Sequence, residues 1–451
     1  MAKARKPKKP DHLKRVLAAL ETGDPALVRG ILAELHPADI ARILEGLTLE
    51  PRTAVWAQVD IQHMGEVLLE LPEAVRVDLV KLMDDKALVA AAHTLDTDDI
   101  ADLIPDLSDE VIAEILFALD KQDRQRLDAV LSYPEDTAGG LMNVDAITVR
   151  ENITVEVVLR YLRRRDELPE HTNRLFVVNR SDRLIGDLKL TRLLTAEPKA
   201  RVSQVMEREL IKFTALTPDK DVAAAFENYN LISAPVVDEN NRLLGRITVD
   251  DVVDVIRAQA DRQVLAPAGL SEEQDIFAPV ARSSRRRGIW LGINLLTAFI
   301  ASWVIGLFEH TIQQVVALAV LMPIVASMGG NAGTQTLTLV VRGLAVGTIS
   351  ESNARRLLSR ELMIGAVNGL IWALVVAVVV VWWYGNLVIG ALIAAAMMIN
   401  LAFAAFSGVA IPFLVRRLGV DPALASGVIL TTVTDVVGFF AFLGLATLFL
   451  V

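Results

Sequence analysis

Five apolar segments occupy the last third of this 451-residue chain, each long enough to cross a bilayer as a helix. They run at about Gly288–Phe308, Ile312–Val341, Leu362–Tyr384, Leu387–Val415 and Ala423–Val451. In lipid every backbone polar group must be satisfied internally, so such segments are confined to helices packed as a bundle. Composition agrees. Mean hydropathy is +0.42 although 22% of residues are charged, so charge and apolarity must lie in different parts of the chain. Of the 55 acidic and 45 basic residues, five acidic and ten basic stand from Ala281 onward. The front part therefore carries about −15 and the rear part +5. An acidic front part argues against nucleic acid and for cations as partners.

Loop basicity sets the expected orientation. Arg282, Arg285, Arg286 and Arg287 precede the first segment, Arg342, Arg355, Arg356 and Arg360 separate the second from the third, and Arg416 and Arg417 separate the fourth from the fifth. The other two loops have no Lys or Arg. The front part is expected in the cytoplasm and the C-terminus outside, in a multi-pass membrane protein. The basic N-terminus, MAKARKPKKP, has no apolar run behind it, so residues 1–11 read as a basic tail and not a signal peptide. With no cysteine and six scattered histidines, disulfides and thiolate metal sites are excluded, and hard cations on oxygen ligands remain.

Asp435 is the only ionisable side chain in the fifth segment beyond its start. A carboxylate at that depth costs several kcal/mol unless it faces a bundle interior or a watery path, and no basic residue in any segment is deep enough to pair with it. Gly427, Thr431, Asp435 and Gly438 share a helical face, with Thr432 and Thr434 beside it. The second segment reads LMPIVASMGGNAGTQTLTLVVRG. Pro323 and glycines 329, 330 and 333 weaken a helix, while Asn331, Thr334, Gln335, Thr336 and Thr338 are polar. This predicts a broken helix lining a pore; close helix packing through small residues is the alternative.

PIVASMGGNAGTQ, TTVTDVVGF and RRLGVDPALASG together resemble the MgtE family of magnesium channels, over essentially the whole chain. The resemblance implies a homodimer with its pore at the dimer axis, lined by the second and fifth helices. There Asp435 of each protomer would hold a largely hydrated Mg²⁺, with Asn331, Gly329, Gly330, Thr431 and Thr434 along the path and Asp421 at the cytoplasmic start of the fifth helix. One or two carboxylates with retained waters suit Mg²⁺.

Ahead of the apolar segments, residues 12–135 repeat a short helical pattern, as in HPADIARILEGL and SDEVIAEILFAL, and read as an all-α superhelical domain. Residues 136–201 and 202–256 are two copies of a helix-and-strand pattern resembling paired CBS motifs, an α+β module. The second copy keeps the G-x-x-[ST]-x-x-D pattern of adenine-nucleotide binders as Gly245, Thr248 and Asp251; the first has Gly186, Lys189 and Arg192 there. Residues Val252–Leu265 are expected to form a helix leading towards the membrane, within a plug and long connecting helix region over 252–287, and 288–451 the five-helix transmembrane domain.

In the family a plug at the start of that connecting helix closes the pore when cytosolic Mg²⁺ bridges acids. The candidates are Glu66, Asp98, Asp102, Asp250, Asp251 and Asp254, which makes Mg²⁺ both substrate and regulator. The chain departs from the family at Gln259, Arg262 and Gln263 on the plug, at Asn228 and Asn230, and at Gly427, implying fewer or weaker regulatory ions. Two other readings are a proton- or sodium-coupled exchanger and, from a different class, a membrane-tethered nucleotide sensor. No nucleophile–base pair, phosphate loop or redox motif points to an enzyme.

Overall fold

The computed structural model describes residues 12–95, 97–119, 121–165, 168–169, 171–270 and 275–451; the expected basic tail, residues 1–11, lies outside them. The chain divides into two compact units, one of residues 12–259 with 275–279, the other of 260–270 with 280–451.

In the first unit short helices are started by capping side chains. Asp60 accepts from the Gln62 N–H, Asp84 from Ala87, Ser108 from Val111 and the His36 ring from Ala38. These caps, at 36, 60, 84 and 108, recur every 24 residues, and the second helix of each pair starts at 49, 73, 97 and 121. The helices Pro37–Glu45, Ile61–Leu69, Asp85–Ala92 and Asp109–Ala118 pack each on the next, burying Leu44, Leu68, Leu79 and Leu127 in one core. The domain is thus a solenoid of two-helix repeats. Its 24-residue period is a finding of the structure, because apolar spacing alone repeats at every helix and does not show which helices pair.

Strand β1 (Thr148–Arg150) pairs parallel with β2 (Arg174–Val178), and β2 pairs antiparallel with β3 (Leu184–Lys189). Strands β4 (Phe213–Thr214), β5 (Ser233–Val237) and β6 (Leu243–Thr248) repeat the order. Each parallel step is bridged by a helix, Val155–Leu162 or Asp219–Tyr229, as a parallel crossover requires. The two halves join reciprocally: Leu184 N–H donates to the Asn241 carbonyl at 2.9 Å and Leu243 N–H to the Asp182 carbonyl at 3.3 Å. Phe176, Leu184 and Val237 bury together at this joint.

From β6 a helix runs over Val249–Leu265, followed by a 3₁₀ turn, Ala266–Ala268, and by Gly269 at φ +69°. The next helix begins at Val280. A helix covers the expected Val252–Leu265, and the connecting region 252–287 as a whole is in two pieces. Pro267 in the turn has no N–H to continue the ladder, and Gly269 takes a left-handed conformation that ends it. Asp275, in the stretch between the pieces, is 8% exposed and accepts from Arg52 at 2.7 and 3.0 Å. Arg52 is 1% exposed and also donates to the carbonyls of Leu44 and Leu47.

The second unit contains five helices long and apolar enough to cross a membrane: Val280–Gly306, Ala317–Ala345, Ala354–Tyr384, Leu387–Arg417 and Pro422–Leu450. The fourth is the hub. Its Ile393, Ala396, Met397 and Leu401 pack with Leu318, Leu321 and Val325 of the second and Phe442 and Leu443 of the fifth. The second helix is continuous from Ala317 to Ala345 with Pro323 inside it, so the expected break is absent. Pro323 stands two turns from the N-terminal end, where the ladder loses a single bond, and the glycines serve packing instead. A Cβ on Gly333 would press Leu430 at 3.0 Å, and one on Gly329 would overlap the Asn400 carboxamide.

Candidate ion pathway

The second helix has two faces. Gly329, Gly333, Thr336 and Val340 are buried in the bundle; Ser327, Asn331, Thr334 and Thr338 are exposed along the other side and fall at helical spacing. Thr334 and Thr338 return their hydroxyls to carbonyls four residues back, at 2.8 Å each, which leaves their oxygen lone pairs facing outward. Asn331 donates to Ser327 Oγ at 3.4 Å. Gly330 has open space where a Cβ would stand.

The fifth helix presents a matching row. Gly427, Thr431 and Asp435 follow one another by single turns, with Thr431 exposed and Asp435 half-buried. Asp435 makes no hydrogen bond or ion pair with the described residues. Thr434 is 0% exposed and bonds the carbonyls of Leu430 and Thr431, so it belongs to the bundle interior, as Gly329 does. Asp421 caps the fifth helix, accepting from Ala423 N–H at 2.8 Å ahead of Pro422.

Below Asp435 the two rows frame a cavity of about 490 Å³. Thr334 and Thr338 line one side and Gly427 and Thr431 another, while Gln263 and Pro267 close it from the tail of the helix that follows β6. Gly427 puts no side chain into it. Two of the positions where the chain departs from the family pattern, Gln263 and Gly427, thus meet in one place.

The acids of the first unit are dispersed. Glu66 and Asp102 are exposed on their helices; the Asp98 side chain lies outside the described residues. Asp250 approaches His171 Nε2 at 3.4 Å, and Asp251 accepts from the Thr248 hydroxyl at 3.1 Å at the end of β6, the strand that carries Gly245. Desolvation raises the Asp254 carboxyl above its ordinary range, with Arg257 drawing it down and Asp250 adding to the rise. Among the described residues no three carboxylate or imidazole groups converge on a point.

Three features were not read from the sequence. Asn400, 0% exposed on the fourth helix, donates to the Val325 carbonyl at 2.9 Å and lies against both Gly329 and Gly438, so it sits where the second, fourth and fifth helices meet. Glu361 is 7% exposed and accepts from Thr336. The Arg52–Asp275 pair joins residues 223 apart. Only Asn400 left a sequence signal, as a lone amide in an apolar run.

Family models match in the same order as these parts. The MgtE intracellular N domain matches residues 35–136, CBS domains match 138–199 and 202–258, and the MgtE divalent cation transporter domain matches 322–445. The chain is 31% identical to the "Magnesium transporter MgtE" of Bacillus subtilis over 97% of both chains. It is 34% identical to that of Thermus thermophilus over 96% of this chain and 97% of the relative. The structure described as "the cytosolic domain of the Mg2+ channel MgtE in complex with ATP" shares 34% identity, covers 54% of this chain and 99% of its own, and has a TM-score of 0.49.

Proposed function

The chain belongs to the MgtE family, and from its polar rows around Asp435 we propose that it is a magnesium channel carrying Mg²⁺ inward across the membrane. The observation that carries this is Asp435, a carboxylate in an apolar helix with no partner in its own bundle, one turn from the exposed Thr431. A second copy related by a two-fold axis would bring two such rows together, and two carboxylates would face one hydrated ion. Mg²⁺ sheds its waters reluctantly, so hydroxyls and amides that bond to coordinated water suit it better than a closed cage. In this reading the protein lies in an inner membrane with its first unit in the cytoplasm and its C-terminus outside.

Regulation is proposed through cytosolic Mg²⁺ on Glu66, Asp98, Asp102, Asp250, Asp251 and Asp254. Their dispersal means that each ion would keep most of its waters and use few protein oxygens. Asp421 would serve both as a helix cap and as an acid at the cytoplasmic mouth. An adenine nucleotide is proposed at Gly245, Thr248 and Asp251, whose turn is already held by the Thr248–Asp251 hydrogen bond.

The deciding experiment is Mg²⁺ flux into proteoliposomes holding the purified chain. Uptake should follow the Mg²⁺ gradient, be indifferent to an imposed pH or Na⁺ gradient, and vanish in Asp435→Ala. Full flux in that variant would remove the pore assignment, and flux that required a proton or sodium gradient would make the protein an exchanger.

A further inference from the structure

We propose that the cavity between the second, third and fourth long helices is a headgroup site for an ethanolamine phospholipid. The proposal rests on reading the long helices as membrane-spanning and is independent of the ion pathway. The cavity holds about 380 Å³, and none of its lining residues lies on the fifth helix. Its polar lining is Gln335 and Thr336 from the second helix and Arg360, Glu361 and Asn368 from the third.

Glu361 motivates the assignment. Its side chain is 7% exposed, and its one hydrogen bond is from the Thr336 hydroxyl at 3.1 Å. It has no ion pair among the described residues. A neutral hydroxyl does not compensate a buried carboxylate, which calls for a cationic partner. The adjacent, exposed Arg360 lines the same cavity and offers its guanidinium to an anion. Gln335, Leu339 and Asn368 are exposed, so the cavity opens on the outside of the bundle, where lipid lies.

Depth selects the part of the lipid. The third helix has 31 residues and starts at Ala354, which makes it ~46 Å long at ~1.5 Å per residue, longer than the ~30 Å hydrocarbon layer. Its uncharged run starts right after Glu361. Arg360 and Glu361 therefore stand at headgroup level. A carboxylate and a guanidinium side by side match a zwitterion. Glu361 accepts N–H bonds from a primary ammonium, and Arg360 donates to the phosphate. A choline headgroup has no N–H to give, and a glycerol headgroup brings no cation to Glu361.

The test is native mass spectrometry of the full-length protein released from bilayers of phosphatidylethanolamine, phosphatidylcholine and phosphatidylglycerol with identical acyl chains. The ethanolamine lipid should be retained over the choline lipid by roughly fivefold or more, a ratio that loss of one charge-assisted hydrogen bond should erase. Glu361→Gln should remove that preference. Arg360→Gln, at an exposed position that folding tolerates, should weaken retention of any phospholipid. Equal retention of the three lipids, or an unchanged preference in Glu361→Gln, would overturn the proposal. So would disulfide crosslinking of Asn368→Cys between copies with no lipid retained, since the cavity would then be an interface of the protein with itself; the chain has no other cysteine. None of these readouts uses flux, so the outcome is separate from that of the channel reading.

Discussion

Asp435 invites a cation because its own bundle offers no hydrogen-bond donor or positive charge to it. Replacing it by Asn keeps shape and removes charge. Flux in Asp435→Asn is expected to fall by about tenfold or more, the effect of losing ~1.4 kcal/mol of ion stabilisation, in the proteoliposome assay. Arg52 shows the opposite situation, a buried charge that is fully paired. Arg52→Ala would leave Asp275 buried and uncompensated, at about 3–5 kcal/mol, and should lower the melting temperature far more than a surface substitution such as Arg42→Ala. Beside this pair lies Glu45, whose carboxyl is held above its ordinary range by burial, with Arg257, Arg42 and Arg52 pulling it down and Asp275 pushing it up. The folded chain thus holds that proton more tightly than the unfolded one. The contribution to stability is whole below the unfolded value of 4.5 and is lost as pH rises through the folded value. Glu45→Gln should accordingly gain in melting temperature relative to the native chain as pH is raised from 4.5 towards neutrality; a constant difference across that range would refute the assignment.

At the scale of elements, the second and fifth helices are spaced by one amide. Asn400 holds the Val325 carbonyl and fills the room left by Gly329 and Gly438; a Cβ on Gly438 would stand 2.6 Å from its Nδ2. Gly438→Ala should therefore disturb packing, and Asn400→Ala should cost about 1–3 kcal/mol by removing the extra hydrogen bond to the Val325 carbonyl and leaving a void where three helices meet. Because Asn400 is the group that Gly438→Ala strikes, the double variant should melt higher than the two single losses combined would allow. Simple additivity would mean that the two residues do not meet. This junction also shows what the sequence discloses. Five helices were legible from the length of their apolar runs, and the succession of Gly427, Thr431 and Asp435 along the fifth from helical spacing. Which small residues turn inward was not, since Gly329 and Thr434 share spacing rules with their exposed neighbours and only the position of the fourth helix decides. Likewise the Arg52–Asp275 pair leaves no local pattern, because pairing across that separation exists only once the chain has folded.

For the whole molecule the governing quantity is the uneven charge, about −15 ahead of Ala281 and +5 after it. Acids spread over the solenoid and the second CBS copy repel one another, and no cage preformed among the described residues would hold a divalent ion by itself. Any Mg²⁺ effect on the first unit must then come from ions that favour the arrangement in which these acids approach. At tenfold over its dissociation constant each ion adds ~1.4 kcal/mol to that arrangement, so two or three suffice to shift a balanced equilibrium. Protease cleavage between the helix ending at Leu265 and the one beginning at Val280 should therefore slow in millimolar Mg²⁺. Sodium chloride at equal ionic strength should not reproduce the effect, because screening acts on all exposed charges alike. The pair Asp250→Asn and Asp254→Asn should raise the Mg²⁺ concentration needed for half-protection, since it removes two carboxylates that already oppose each other. With Gln259, Arg262 and Gln263 and few acids on the last turns of the helix that ends at Leu265, the protection should saturate with few ions and a shallow dependence on concentration. Digestion indifferent to Mg²⁺, or slowed as much by sodium, would mean that these acids are a solvated surface and that the proposed regulation does not act through them.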